Sequence, residues 1–293
     1  MDTIYISTVG DVRIYTIENS EELKHDIGNV AKEKDIQVWL TDPMKYENEI
    51  DALREEVKVI LLKHFPKLLV STLKSFPDLP GEKILLVKQL PFEGPNEYEL
   101  VEIFLLGISK LMPTKPFSYK DAYHGRFLHH VKPDPSAEYT KTAYSSRGEL
   151  GLHIEDSYDS NRPDSMALYC LTGDQHALTT FYSLTKLYSN LEQDLKDRLN
   201  TIGRKNEFVF KVPESHLDRS AYSQGAIIFD QPTGEMAIRY SSDYVQAQTH
   251  ETQQLKDDMR TFFESDIGRP SGYCLSTGDL IIWHNHSISA GLK

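Results

Sequence analysis

The order of the periodic segments is the feature that most constrains how this chain can fold. Before about residue 115, apolar residues recur at helical spacing over roughly 50–61 and 96–111. From about residue 120, short β-favouring runs separated by turns dominate, interrupted by two helical patterns at about 186–201 and 250–264. Helices followed by many short strands are typical of an α+β protein with a closed or double-sheet, jelly-roll-like β core.

The remaining local patterns predict strands. In the first 45 residues, 4–6 and 36–40 carry β-favouring residues, and this part is expected to consist of short strands and turns. A further strand is predicted over 84–90, closed by Pro91. Later strand-like runs lie around residues 127, 144, 166–171, 179–182, 208–212, 226–229, 236–240 and 280–283.

Composition bounds the class of protein. A net charge of -12 argues against non-specific nucleic-acid binding and against an anionic membrane surface. Two distant cysteines provide no disulfide framework, and neither a signal peptide nor a membrane-spanning stretch is evident. We therefore expect a soluble, cytoplasmic protein whose oligomeric state is open. A single domain over 1–293 is predicted, with a mixed helix and strand portion, 1–115, packed on a β core, 116–293.

The sharpest chemical feature is the pair His153 and Glu155. Side chains two apart on a strand point to the same face, so one imidazole and one carboxylate can grip a single metal ion. Two histidines and one carboxylate form the facial triad of non-haem Fe(II) oxygenases. A bare His-x-Glu pair is a weak signal by itself, because a solvated strand edge can carry the same residues.

The surrounding sequence is more specific. It resembles the clavaminate synthase-like branch of the TauD-type 2-oxoglutarate dioxygenases over most of residues 90 to 290. The matching pieces, in order, are Leu90-Pro91, Gly125-Arg126-Phe127, Val131-Lys132-Pro133, Tyr144-Ser145-Ser146-Arg147-Gly148-Glu149-Leu150, His153-Ile154-Glu155-Asp156, Arg162 to Leu171, Thr179 to Leu184 and Gly278 to Asn285.

The resemblance implies a double-stranded β-helix with flanking helices, and Fe(II), 2-oxoglutarate and O2 as cofactor and cosubstrates. His153 and Glu155 fall on the family's metal pair, and the retained carboxylate argues against halogenation, because halogenating relatives replace it with a small residue. Thr180 falls where the family binds the 2-oxoglutarate carboxylate. Asp156 and Ser146 are assigned to the substrate. In relatives that act on basic amino acids, acidic residues near this point bind the substrate amine, so either Asp156 or Asp159 is expected to do so.

Two departures from the family pattern stand near residue 290. Ala290 occupies the position of the family's second histidine. The arginine that would bind the distal carboxylate of 2-oxoglutarate has no counterpart up to Lys293. Three explanations remain open. The sequence is an engineered or truncated form, a neighbouring imidazole (His286 or His284) replaces the ligand, or the protein is a degenerate member of the family.

The sequence thus predicts an Fe(II)/2-oxoglutarate-dependent oxygenase that hydroxylates a C–H bond of a free or carrier-bound L-amino acid. One alternative is a non-catalytic member of the same fold that acts as a binding module, for which Ala290 is the sequence argument. Another is a metal-dependent barrel enzyme that does not use 2-oxoglutarate.

Overall fold

The fold is taken from a computed structural model, which describes residues 5–9, 12–17, 20–76, 83–119, 125–140, 144–145, 147–211 and 222–292. The chain forms two compact units, each built from three segments. Unit 1 contains residues 1–130, 166–175 and 275–284, and unit 2 contains 131–165, 176–274 and 285–293. A single domain over the whole chain, divided near residue 115, stays a prediction.

The helices of unit 1 lie in its first segment, and those of unit 2 follow residue 183. The helices are α1 (Glu21–Lys32), α2 (Ile36–Thr41), α3 (Glu47–His64), α4 (Lys67–Ser75), α5 (Tyr98–Leu111), α6 (Leu184–Asn190), α7 (Gln193–Thr201) and α8 (His250–Glu264). No helix in the described ranges is long and apolar enough to cross a membrane.

The strands are short, as the sequence predicts. They are β1 (Tyr5–Val9), β2 (Val12–Thr16), β3 (Ile84–Lys88), β4 (Leu150–His153), β5 (Ser165–Tyr169), β6 (Leu178–Ser183), β7 (Phe208–Lys211), β8 (Tyr222–Gly225), β9 (Ile228–Asp230), β10 (Met236–Ile238), β11 (Val245–Ala247), β12 (Ser271–Cys274), β13 (Leu280–His284) and β14 (Ile288–Leu292).

Unit 1 is a five-stranded sheet with helices. The strand order is β1-β2-β3-β13-β5, with β2 and β3 parallel and β3 and β13 antiparallel. Helix α5 contacts α1, α3 and α4, and its Phe104 is fully buried. Because α5 is apolar on nearly every face, it forms the centre of the core of unit 1.

Unit 2 holds three smaller sheets. The largest is antiparallel, in the order β12-β6-β14-β4, and the others are β11-β7-β8 and the pair β10-β9. Its core includes Leu152 and Ile154, which flank His153 in sequence, together with Tyr182 of β6 and Leu255 of α8. The candidate metal pair therefore lies at a strand whose alternate residues anchor a hydrophobic core.

The structure corrects several sequence predictions. Residues 36–40 form the helix α2, not a strand, since Ile36 and Leu40 lie one turn apart and are both buried. The first 45 residues also contain α1, with Leu23, Ile27 and Val30 buried on one face. The predicted helix over 186–201 is two helices, because residues 191 and 192 are extended. Residues 127 and 144 lie outside strands.

Candidate metal centre

His153 and Glu155 converge, as their spacing predicts. The His153 Nε2 atom lies 3.3 Å from Glu155 Oε1, and both side chains are only partly exposed. The other ring nitrogen, Nδ1, is 2.8 Å from the carbonyl oxygen of Gly151 and donates its proton there. A histidine ligand is commonly oriented in this way, because a hydrogen bond at one nitrogen leaves the lone pair of the other free for a metal.

Electrostatics couple the two side chains. Burial lowers the pKa of His153, but the hydrogen bond and charge of Glu155, with smaller contributions from Gly151 and Asp243, outweigh it and leave the pKa raised. Without a metal, the imidazole is therefore readily protonated and pairs with the carboxylate. A metal cation would take the place of that proton.

The strand that carries His153 packs closely against Ser242 and Asp243. A β-carbon on Gly151 would lie 2.0 Å from the Ser242 hydroxyl oxygen and 2.9 Å from Asp243 Oδ2, so a larger residue would force these side chains to move. The Gly151 amide donates to Asp243 Oδ2 at 3.2 Å, and His153 forms a β-bridge with Ser241. The segment 241–243 thus holds β4 from one side.

Asn285 is a functional candidate for which the sequence predicts no role. Its side chain is fully buried and forms hydrogen bonds with both the amide and the carbonyl group of Glu155. Asn285 Oδ1 accepts from the Glu155 amide at 2.8 Å, and Nδ2 donates to the carbonyls of Glu155 at 3.1 Å and Pro163 at 2.9 Å. The position of Glu155, the predicted carboxylate ligand, therefore depends on a residue 130 positions away in sequence.

A buried cation secures the loop after Glu155. Arg239 donates from Nε to the carbonyl of Ser157 at 2.6 Å, and its guanidinium also contacts the Ser223 hydroxyl and stacks 4.0 Å from the Phe210 ring centre. Burial, followed by the nearby Arg162, lowers the pKa of Arg239 to about 10. Through these contacts, Arg239 thus stabilises the backbone of the loop at Ser157.

Ala290, which occupies the position of the family's second histidine, lies directly opposite His153. The two residues are register partners between β14 and β4, and on the other side Ala290 pairs with Phe181 of β6. Directly paired residues of antiparallel strands project to the same face. Phe181, Ala290 and His153 therefore form one row across three strands, with a methyl group at its centre.

The row also fixes the orientation of the threonines on β6. Thr180 pairs with Gly291, and Thr179 pairs with Leu292. Since alternate residues point to opposite faces, Thr179 shares the face of Phe181 and His153, whereas Thr180 faces the other side. The role predicted for Thr180 stays a prediction. Of these two threonines, Thr179 is the one whose side chain lies on the face of His153.

The two candidate replacement histidines differ in environment. His284 is buried at the end of β13, and its amide donates to the carbonyl of Lys83. His286 Nε2 lies 3.3 Å from Asp164 Oδ1, and its ring meets Phe229 edge-on. Within the described ranges, no three side chains of histidine, cysteine, aspartate or glutamate form a group suited to a metal. The described part of the chain therefore supplies two metal donors, His153 and Glu155, and not the three donors of a complete facial triad.

The predicted substrate residues follow the metal pair. Asp156 has a φ of +52°, a conformation uncommon for residues other than glycine, and its Oδ1 accepts from the Tyr158 hydroxyl at 2.6 Å. Its backbone carbonyl accepts from the Asp159 amide at 2.8 Å. Asp156 thus lies in a tight turn directly after Glu155. Ser146 lies outside the described residues, as does Lys293.

Comparison with protein families identifies the class. Residues 22–289 match the model of the family described as taurine catabolism dioxygenase TauD, TfdA family. The match covers most of the chain, so this protein belongs to the TauD/TfdA family. The predicted resemblance is thereby confirmed.

Individual relatives are amino-acid hydroxylases. The chain is 25% identical to an L-lysine 3-hydroxylase of Catenulispora acidiphila over 181 residues, which is 59% of this chain and 48% of the relative. It is 24% identical to an L-lysine 4-hydroxylase of Flavobacterium sp. strain CF136 over 213 residues, which is 67% of this chain and 52% of the relative. The matched segments thus span about half the length of these relatives.

Solved structures share the fold. Asparagine oxygenase in complex with Fe(II), 3-hydroxyasparagine and succinate superposes with a TM-score of 0.75 at 18% identity, over 96% of this chain and 87% of that chain. The non-heme iron oxygenase OrfP in complex with Fe, succinate and (3S)-hydroxy-L-Arg gives 0.69 at 16% identity, over 95% and 88%. These matches confirm the α+β fold class.

Proposed function

We propose that this protein is an Fe(II)- and 2-oxoglutarate-dependent oxygenase that hydroxylates a C–H bond of an L-amino acid. The observation that carries the proposal is the convergence of His153 and Glu155 within a chain of the TauD/TfdA family. The finer architecture that we propose is a double-stranded β-helix, supported by the short antiparallel sheets of unit 2.

The substrate that we propose is a free or carrier-bound amino acid, most readily a basic one. Relatives act on lysine, and OrfP is described with a hydroxylated arginine. Asp156 supports this choice, because a carboxylate in the turn beside Glu155 suits a substrate cation. Ser146 is proposed as a second substrate contact, and the net charge of -12 also favours a cationic substrate.

The residues of the chain have separate tasks in this proposal. His153 offers Nε2 as a ligand because Gly151 holds the proton on Nδ1. Glu155 offers a carboxylate whose backbone Asn285 holds at both ends. Iron, 2-oxoglutarate and O2, when bound, supply the oxidation of the C–H bond. The protein aims that bond and keeps the ligands in place.

A threonine hydroxyl on β6 is proposed to bind the carboxylate of 2-oxoglutarate. The sequence favours Thr180, and the strand register favours Thr179, which shares the face of His153. The two neighbours form a matched pair for testing. Replacing the residue that binds the cosubstrate should raise the 2-oxoglutarate concentration needed for half-saturation, and replacing the other should not.

The test is amino-acid-dependent formation of succinate from 2-oxoglutarate with Fe(II) under air. L-Lysine, L-arginine and L-asparagine are assayed separately, and the product is identified by a mass increase of one oxygen atom. His153→Ala and Glu155→Ala should each abolish the activity, whereas Gln254→Ala, at an exposed position of α8, should leave it intact. Equal succinate formation by the wild type and both ligand variants would contradict the proposal.

Ala290 favours a second candidate function. A methyl group opposite His153 cannot bind a metal, so the fold is also compatible with a module that binds an amino acid without oxidising it. Binding of L-lysine or L-arginine measured by calorimetry, with no succinate formed at any Fe(II) concentration, would support this candidate over the enzyme.

A further inference from the structure

Unit 1 carries a groove between the end of α3 and helix α4, to which the proposed function gives no role. Its volume is about 310 Å³, which is within the range of sites for small molecules. Two of its apolar residues, Phe65 and Val70, are almost fully buried, and a third, Leu62, is 42% exposed. The residues that line this α3–α4 groove are Leu62, Phe65, Lys67, Val70, Ser71 and Lys74.

One wall of the groove is cationic. Lys67, Ser71 and Lys74 follow one another at four and three residues on α4, so they share one face of the helix. All three residues are exposed. A lysine in such a place lays its apolar stem along the protein surface and keeps its ammonium group in water. Two positive charges with a hydroxyl group between them therefore line the rim of an apolar groove.

The lysines of the two helices differ in their partners. On α3, Lys58 and Lys63 each pair with a carboxylate, at 2.7 and 2.8 Å. On α4, Lys67 and Lys74 form no ion pair with any residue that the structure describes, and the Ser71 hydroxyl forms no hydrogen bond with one. In a protein with a net charge of -12, this wall keeps a local positive charge that is complementary to an anion.

The exposed apolar surface continues along α3. Val59 is 62% exposed and lies one turn before Leu62, on the same face of the helix. Apolar side chains that are exposed together beside a concavity, unlike scattered ones, mark a binding site. A small hydrophilic anion would leave this surface in water, and an uncharged apolar molecule would leave the two lysines without a partner. The groove therefore suits a ligand that has both a negative charge and an apolar chain.

We propose that the α3–α4 groove is a binding site for a single-chain carboxylate amphiphile of the fatty-acid class. The carboxylate lies over Lys67, Ser71 and Lys74, whose donors suit its two oxygen atoms. The apolar chain packs on Leu62 and Val70. This site needs neither a metal nor an amino acid, so the inference goes beyond the proposed function and is independent of it.

The test is methyl NMR of the whole chain, titrated with hexanoate, octanoate and decanoate at low ionic strength, since salt screens exposed charges. The methyl signals of Leu62 and Val70 should shift in a saturable way. Affinity should rise several-fold with chain length, because each fully buried CH2 group contributes about 4-fold. Decanol, which has the same chain without the charge, should bind at least about 3-fold more weakly than decanoate, because it forms no ion pair.

The charged wall is tested with two matched double variants. Lys67→Gln combined with Lys74→Gln should weaken decanoate binding at least about 3-fold and leave decanol binding unchanged. Lys32→Gln combined with Lys115→Gln, at exposed positions elsewhere in unit 1, should leave both unchanged. Both pairs remove two positive charges, so they change the net charge of the protein equally.

The apolar wall is tested in the same way. Leu62→Gln should weaken the binding of both decanoate and decanol, whereas Val38→Gln should weaken neither, since Val38 is 43% exposed on α2. Circular dichroism verifies that each variant is folded. If Leu62→Gln fails to fold, the two lysine pairs and the comparison of decanoate with decanol decide the question alone.

Saturable decanoate binding that weakens in the groove pair of lysine variants and not in the control pair supports the inference. Equal weakening in both pairs, equal affinities for decanol and decanoate, or no saturable shift overturns it. Dimerisation of the wild type that is lost in Leu62→Gln would assign the groove to a second copy of the chain. Binding to vesicles of anionic lipid without binding of free decanoate would assign it to a membrane, and either result also overturns the inference. None of these outcomes changes the test of the proposed function, which measures succinate.

Discussion

Asn285 shows how one side-chain amide can position Glu155, the proposed metal ligand, through its backbone. Its side chain satisfies the amide and carbonyl of Glu155 and the carbonyl of Pro163, all inside unit 2. A buried polar group that loses its partner costs about 1–3 kcal/mol. Asn285 is therefore a positioning residue for Glu155, and we expect its removal to lower stability and to weaken the metal binding that we propose.

We predict that Asn285→Ala lowers the free energy of unfolding by about 1–3 kcal/mol for each backbone group that stays unsatisfied. Co(II) affinity should fall about 10- to 100-fold in the variant that remains folded. Urea denaturation and Co(II) titration measure the two effects. Gln254→Ala, at an exposed position of α8, should change stability by less than about 0.5 kcal/mol. Equal effects of the two substitutions would contradict this role.

The sequence predicts part of the site, and the physical reason lies in the range of the contacts. His153 and Glu155 are two residues apart, so strand periodicity alone brings them together. Asn285 belongs to a recognised motif, but its partners are 130 and 122 positions away, and only the fold reveals them. The orientation of Thr179 and Thr180 depends on strand register, which a single sequence specifies poorly.

At the scale of elements, helix α8 illustrates a stabilising device that is local. Thr249 precedes the helix and forms a capping box with Thr252, in which each side chain accepts from the backbone amide of the other residue. The helix buries Leu255 and Met259 in the core of unit 2. The cap therefore fixes the start of a helix on which the core of that unit depends.

We predict that Thr249→Ala destabilises the protein by about 1 kcal/mol, because one amide at the start of α8 loses its acceptor. Thr249→Ser keeps the hydroxyl and should retain most of the stability. Thermal and urea unfolding of both variants measure the difference. If the serine variant is as unstable as the alanine variant, the methyl group of Thr249 and not its hydroxyl matters.

Elements with a clear period are predicted well, and short ones are not. Helices α3, α5 and α8 match the helical patterns, because their apolar faces repeat over at least 14 residues. Helix α2 has only six residues, and four of them are β-branched or aromatic, so tertiary packing overrides its local preference for a strand. The helix breaks between α6 and α7 at Leu191, whose side chain is buried in the core. This is a tertiary contact, which the periodicity of the sequence does not predict.

At the scale of the whole molecule, several surface carboxylates depend on cationic partners. Asp26 accepts from His64 and Lys63, each at 2.8 Å, and its hydrogen bonds to these two residues hold its pKa below 3.8. The pKa values of Asp51, Asp230, Glu55 and Glu251 are likewise lowered, in each case first by a hydrogen bond from a lysine or arginine.

These shifts predict the acid response of the protein. A carboxyl group with a lowered pKa in the folded state stabilises the fold above its unfolded pKa, and this contribution is lost as pH falls through the folded value. The free energy of unfolding should therefore fall as pH drops below 4.5 for the glutamates and 3.8 for the aspartates. Urea unfolding at a series of pH values measures it.

Asp26→Asn is the corresponding single-site check. The substitution should cost about 0.2–1 kcal/mol near neutral pH, and the difference from the wild type should shrink as pH falls from about 4 to about 2. A cost that stays constant over this range would mean that the Asp26 carboxylate does not supply the acid sensitivity.

Strands β13 and β14, only three residues apart, are central strands of two different sheets: β13 lies between β3 and β5 in unit 1, and β14 between β6 and β4 in unit 2. During synthesis, neither sheet can therefore be completed until residues 280–292 have left the ribosome. Until then the nascent chain exposes four strand edges, those of β3, β5, β6 and β4, on which chaperones can act.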